Sequence, residues 1–249
     1  RFIQERCGES AQIVVDGVAA IPHVKVALDD LPFNCWYAVS CHKLFGPHLG
    51  ILCGPQSDTA AVELELGTVN YEACAGLIGL GEYFGRLATF SPKQAASQNT
   101  QSQKDRREAT TATTSASENF ELTLEHVGEA YRRIELVEEV LVQRLLERFQ
   151  KSSQKVHILS SKNSALSVPS LTSRLPIISF SHDSISPATI VTELSKHNVA
   201  CREDSFKCSA KLQEEFGFGK IARLSLAHYN TVEEVDFVMN HLEELPGWY

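Results

Sequence analysis

The chain has 249 residues, 43% of them hydrophobic and 22% charged, enough apolar material for one good core or a large-domain fragment with a smaller domain. Its formal net charge of -8 argues against nucleic acid or an anionic membrane surface as partner, since both favour a basic face. No apolar run is long enough to cross a bilayer, and the seven Cys include no Cys-x-x-Cys pair, so neither a zinc knuckle nor a disulfide framework is suggested. A reducing compartment is the simpler setting for such scattered thiols. The first residue is Arg1 and no signal or transit segment is visible, so the sequence reads as beginning inside a gene product, with its targeting illegible.

In chain order, Gln12 to Val15 reads as a buried parallel strand closed by Asp16-Gly17, the polar end where open α/β sheets place ligands. Further strands are expected at Trp36 to Val39 and Gly50 to Cys53, and a helix of small and apolar residues from Gly76 to Leu87. Ser91 to Asn119 is rich in Ser, Thr, Gln and Ala and almost lacks large apolar side chains. It cannot offset its ordering entropy and is expected to be a disordered insertion. Phe120, Leu124, Val127, Tyr131, Ile134, Leu141 and Leu145 follow helical spacing, which predicts one long amphipathic helix over 120–150. Strands at Val156 to Leu159 and Pro176 to Ser181 come next, then a helix opened by Ser186-Pro187 and closed near Asn198. Ile221 to Leu226 alternates as a strand, and Thr231 with Glu234 forms a capping box for a last helix along Val235, Val238 and Leu242. The organisation expected is therefore a large-domain portion over 1–90, an insertion over 91–119, and a long helix with a small α/β domain over 120–249.

Asp16 and Lys43 each follow a strand, which would bring a carboxylate and an amine to one edge of a parallel sheet. Ser40 and His42 flank the Lys with hydrogen-bond donors, and Gly46 and Gly50 permit close backbone approach. On spacing alone the alternatives stay open: an Asp-Gly after a strand also makes an ordinary turn, and a lone Lys also makes an ordinary surface. The dispersed His residues suggest no metal site.

Asp16-Gly17-Val18-Ala19-Ala20-Ile21-Pro22-His23, followed by Ser40-Cys41-His42-Lys43-Leu44-Phe45-Gly46-Pro47-His48-Leu49-Gly50, resembles the cofactor segment of the class V aminotransferase and cysteine desulfurase family, including selenocysteine lyases. Gly67-Thr68-Val69-Asn70 is similar to the family's Gly-Thr-x-Asn segment, and Arg223-Leu224-Ser225-Leu226-Ala227-His228-Tyr229-Asn230-Thr231 to its C-terminal segment. The resemblance implies a type I pyridoxal 5'-phosphate (PLP) architecture. A large α/β domain with a mainly parallel sheet, here incomplete, precedes a smaller C-terminal α/β domain, and the molecule works as a homodimer. It implies that Lys43 forms the Schiff base, that Asp16 pairs with the pyridine nitrogen, and that Ser40 and His42 bind phosphate. Thr68 would reach the phosphate of the partner subunit, and Arg223 would clamp the carboxylate of an amino-acid substrate, a task that suits a planar guanidinium.

Three departures bear on function. Ala19 stands where many desulfurases carry Gln, which aligns the chain with a desulfurase-like subgroup. Without a gap, the family's nucleophilic Cys position falls on Lys207, and Cys208 lies one residue later; the neighbouring cation would activate its thiol. The family's ring-stacking residue and one phosphate loop lie upstream of the Asp segment, so the chain reads as a C-terminal fragment. The activity expected is that of a cysteine desulfurase or selenocysteine lyase, with Cys208 as catalytic thiol and a sulfur acceptor that the sequence does not name. The alternatives are a class V transaminase, another PLP lyase, or a non-catalytic remnant that dimerises.

Overall fold

The computed structural model describes residues 2–8, 10–31, 34–55, 67–90, 121–159, 174–204 and 220–249. The insertion expected at 91–119 and the candidate thiol Cys208 lie outside those residues. The chain divides into two compact units, Arg1–Arg133 and Ile134–Tyr249.

The first unit opens with a short helix α1 (Phe2–Cys7) and a three-stranded sheet, β1 (Ile13–Asp16), β2 (Cys35–Ser40) and β3 (Gly50–Cys53). β1 and β2 pair in parallel from Ile13↔Cys35 to Asp16↔Ala38, while β3 returns antiparallel with Ser40 opposite Gly50. A parallel pair requires a crossover. The connection from Gly17 to Asn34 supplies it, with a 3-10 turn at Leu28–Asp30. The strand over 12–15 was expected to be buried on both faces, and the structure corrects this. Residues of β1 alternate between half-buried and exposed, and Val14 is 71% exposed, because β1 is the edge of the described sheet. β2 is the central strand, and its Cys35, Trp36 and Tyr37 are buried.

Helix α2 (Tyr71–Thr89) starts earlier than its apolar stretch suggests, because the Asn70 side chain accepts from the Ala73 amide and caps it. It buries Ala73, Phe84 and Ala88. Helix α3 (Leu124–Ser152) runs through the point where the units divide. Thr123 caps it by accepting from the His126 amide at 3.2 Å, and the expected helical face buries Tyr131, Ile134, Leu141 and Leu145. Leu124 departs from that pattern at 83% exposure.

Near that end of α3, Glu129 accepts from Arg132 and Arg133, each Nε at 2.7 Å, and Arg133 also donates to the Phe90 carbonyl after α2. The hydrogen bonds from Arg132 and then Arg133 pull the Glu129 carboxyl down to about 2. A carboxyl depressed on folding stabilises above its ordinary value of 4.5 and loses that contribution as pH falls toward 2. Acid titration of Glu129→Gln should therefore show a shallower loss of stability across that interval than the unsubstituted protein. Equal slopes would remove this cluster from the acid response.

In the second unit an antiparallel sheet has the order β4 (Val156–Ile158), β5 (Ile177–His182), β7 (Ile221–Ser225), β6 (Arg202–Asp204). One face is apolar: Ile178, Phe180, Ala222 and Leu224 enter a core with Leu141, Leu145 and Phe149 of α3. Helices α4 (Pro187–Lys196) and α5 (Val232–Glu243) contribute Ile190, Leu194, Val235, Met239 and Leu242 to the same core. Ser186 caps α4, and the Thr231–Glu234 capping box is formed in both directions. β6 was absent from the expected elements. Its three residues are charged and lack an apolar period, so only the open edge of β7 makes them a strand.

Candidate functional site

The site is set by two parallel strands that end side by side. Asp16 is the last residue of β1 and Ser40 the last of β2, and the next amide, Gly17 N, still donates to Ala38 O at 3.0 Å. The carboxyl ends of both strands thus share one sheet edge, where open α/β sheets present their functional groups.

Asp16 is exposed, and its Oδ1 accepts from the Val18 amide at 3.1 Å. That local bond orients the carboxylate and leaves Oδ2 for another donor. Gly17 is there for space rather than for a special backbone angle. A Cβ at this position would lie 2.1 Å from Cε1 and Cζ of the buried Tyr37 ring. Burial, and secondarily the Asp16 charge, push the Tyr37 hydroxyl pKa up, so it stays neutral beside the carboxylate. Residues 18–24 then coil through bonds such as Ile21 N to Gly17 O and Val24 N to Ala20 O.

That coil is tied down by a residue read in the sequence only as part of an apolar stripe. Tyr131 on α3 donates its hydroxyl to the Ile21 carbonyl at 2.7 Å and packs on Phe84 with ring centroids 5.4 Å apart. Tyr131→Phe keeps the ring and removes the donor. It should lower stability by about 1 kcal/mol in denaturant titration and speed amide exchange at residues 17–24. Unchanged exchange there would mean that the bond does not restrain the coil.

Beyond β2 the chain makes a closed loop. Cys41 N donates to Leu49 O and Gly46 N to Cys41 O, each at 2.8 Å. Lys43 lies in this loop with its side chain exposed, and its amide donates to Ser40 O at 3.1 Å. Ser40 Oγ and His42 Nδ1 are 2.6 Å apart, and the His42 ring stacks on His48. Helix α2 buttresses the loop closely. A Cβ on Gly46 would lie 3.2 Å from Leu80, one on Gly76 would lie 3.2 Å from Pro47, and Phe45 packs on Tyr83 at 5.8 Å. Phe45 adopts φ 65, an uncommon left-handed conformation that this packing sustains. Cys41 is buried at 1% exposure, and burial raises its pKa, so it is a packing residue and a poor nucleophile.

Of the residues singled out in the sequence, Asp16, Ser40, His42 and Lys43 share this edge. Thr68 is exposed just before the Asn70 cap of α2, in the same unit, after Gly67 at φ 80. Arg223 belongs to the other unit. It is half-buried on β7, on the sheet face opposite the core, with Ser179 and Arg202 as its in-register neighbours on the flanking strands. Among the described residues no group of three or more His, Cys, Asp and Glu could hold a metal ion, and no helix is long and apolar enough to cross a membrane.

A family model described as aminotransferase class-V matches residues 2–238. The chain is similar to an aminotransferase-like protein of Gibberella zeae, 26% identical over 251 residues, covering 94% of this chain and 51% of that protein. It is also similar to a cysteine desulfurase-like protein of Aspergillus flavus, 27% identical over 249 residues, covering 94% of this chain and 47% of that protein. The chain thus spans about half the length of the curated relatives it matches. Among solved structures, the apo cysteine desulfurase of Thermococcus onnurineus superposes with a TM-score of 0.64 at 19% identity, over 94% of this chain and 52% of that one. The cysteine desulfurase CsdA of Escherichia coli superposes with a TM-score of 0.61 at 18% identity, over 97% of this chain and 53% of that one. The fold is therefore the α/β architecture of those enzymes, as the resemblance implied.

Proposed function

The chain belongs to the class-V aminotransferase family, and from that premise we propose that it carries the lysine-bearing part of a PLP-dependent enzyme acting on an amino acid, of the cysteine desulfurase or selenocysteine lyase type. The observation that carries the reading is the register of β1 and β2, whose carboxyl ends hold Asp16 beside the Ser40–Lys43 loop. The donor set there suits the cofactor: a carboxylate for a ring N–H, a hydroxyl and an imidazole for a phosphate, and an amine for an aldehyde. When bound, PLP supplies an electron sink for charge developing at the substrate's α-carbon.

The chain's own residues do the rest. Asp16, oriented by the Val18 amide, would use its remaining oxygen to hold a proton on the ring nitrogen of the cofactor. Ser40 and His42 hold the phosphate, joined by Thr68 in the homodimer that the family resemblance implies. Lys43 would hold the cofactor through its amine and would move the α-proton as general base. For Arg223, on the other unit, the family resemblance implies the substrate carboxylate as its partner, a task for which a guanidinium offers two parallel hydrogen bonds. In a desulfurase, the Cys208 thiolate would take the sulfur and pass it to an acceptor.

Borohydride reduction of the intact protein after incubation with PLP, followed by peptide mass analysis, tests the reading. The expected result is a stable pyridoxyl adduct on Lys43; a protein that gains no near-visible absorbance and no adduct would refute it. Cys208→Ala then separates the chemistries. Lost sulfur release with retained cofactor absorbance marks a desulfurase, and unaltered turnover marks a transaminase or another lyase.

A further inference from the structure

We propose that His48 is a positioning residue for the phosphate end of this site, where it holds the His42 imidazole by ring stacking; the inference rests on the cofactor reading above. Ser40 pairs with Gly50, and Cys41 N donates to Leu49 O at 2.8 Å, so residues 42 and 48 stand on opposite limbs of a closed hairpin loop. Their rings lie with centroids 5.1 Å apart and planes 12° from parallel. Both side chains are exposed, so core packing does not force them together.

An exposed histidine ordinarily samples several rotamers, and fixing one has an entropic cost at the moment a ligand binds. Here that freedom is removed beforehand by two contacts at right angles to each other. Ser40 Oγ meets the ring edge at Nδ1, 2.6 Å away, and His48 covers the ring face. The edge contact alone lets the ring swing about the hydrogen bond; the face contact stops the swing.

The chemistry that this serves is anion binding. If the Ser40 hydroxyl donates to Nδ1, the ring proton sits on Nε2; if Nδ1–H donates to Oγ, the hydroxyl proton is available instead. In either arrangement the pair retains a donor, and the ring plane decides where it points. A phosphate gains from donors already held in place, because their ordering is not deducted from its affinity. The pyridine ring and the aldehyde take no part in this, so the effect should follow the phosphate group alone.

The test compares PLP with pyridoxal, which lacks the phosphate, by absorbance titration of the intact protein. His48→Ala should weaken PLP about 2- to 10-fold, the range an offset-stacked ring pair supports, and leave pyridoxal unchanged. His48→Phe, which keeps a ring face without its nitrogens, should restore most of the loss. Without ligand, the imidazole nitrogen resonances of His42 should report one dominant tautomer in the unsubstituted protein and in His48→Phe, and an averaged ring in His48→Ala. Equal weakening of PLP and pyridoxal would make His48 a general structural residue and overturn the inference. So would affinities that match the unsubstituted protein. If the unsubstituted protein binds neither compound and gives no adduct on Lys43, the cofactor reading falls and takes the inference with it. If it gives the adduct while the His48 variants behave normally, the inference alone falls.

Discussion

Lys43→Ala is expected to abolish covalent retention of PLP and to slow α-proton transfer by about 100- to 10,000-fold, the range attributable to a positioned general base. The same substitution should leave the fold intact. Lys43 is exposed in a loop held by the backbone bonds from Cys41 to Leu49 and from Gly46 to Cys41, and none of these uses its side chain. Changes at such positions ordinarily stay within about 0.5 kcal/mol. Lys43→Arg should be no better than Ala in chemistry, because a guanidinium remains protonated and is a poor partner for an aldehyde. Absorbance spectra, borohydride trapping and thermal denaturation of the three proteins decide the matter. A Lys43→Ala protein that still carries a reducible cofactor adduct would assign the lysine role elsewhere.

Gly17→Ala should sharply lower the stability of the first unit. The new Cβ would fall 2.1 Å from two carbons of the Tyr37 ring and 2.3 Å from its hydroxyl oxygen, separations that real Cβ atoms do not sustain. Tyr37 is 5% exposed on the central strand, so its ring cannot simply turn into solvent. Overpacking of this kind costs about 1–3 kcal/mol, and the displaced ring would move next to Asp16, one residue away. Denaturant titration should show the loss. Cofactor affinity should fall with it, since the Asp16 carboxylate is oriented through the same turn. Combining Gly17→Ala with Tyr37→Ala should cost less than the sum of the two, because the second change vacates the space that the first one needs. Strict additivity, or a Gly17→Ala protein as stable as its parent, would show that the turn relaxes in some other way.

Much of this protein was legible one residue at a time. The strands ending at Asp16 and Ser40, the Ser186-Pro187 helix start and the Thr231–Glu234 capping box depend on neighbours close in sequence, and short-range signals carry them. The four quoted segments also named the family, because an Asp-Gly turn and a Ser-x-His-Lys loop are contiguous stretches of chain. Elements without a period or a cap signal of their own were not legible. β6 is three charged residues made into a strand by β7. The first turns of α2 are a different case, since their signal, the Asn70 cap, is local and was not read.

What only the tertiary structure decided concerns pairs of residues far apart in the chain. A parallel sheet edge was expected from the sequence, but the register that sets Asp16 opposite Ala38, and so fixes residues 16 and 40 at that edge, has no local pattern. The space kept open at Gly17 is defined by Tyr37, and the anchor of the following coil is a hydroxyl 110 residues away on Tyr131. The stack of His48 on His42 follows from loop closure between Cys41 and Leu49. Sequence periodicity reports which face of an element is apolar; only packing reports which side chain from another element meets it, since such contacts depend on chain geometry summed over many residues.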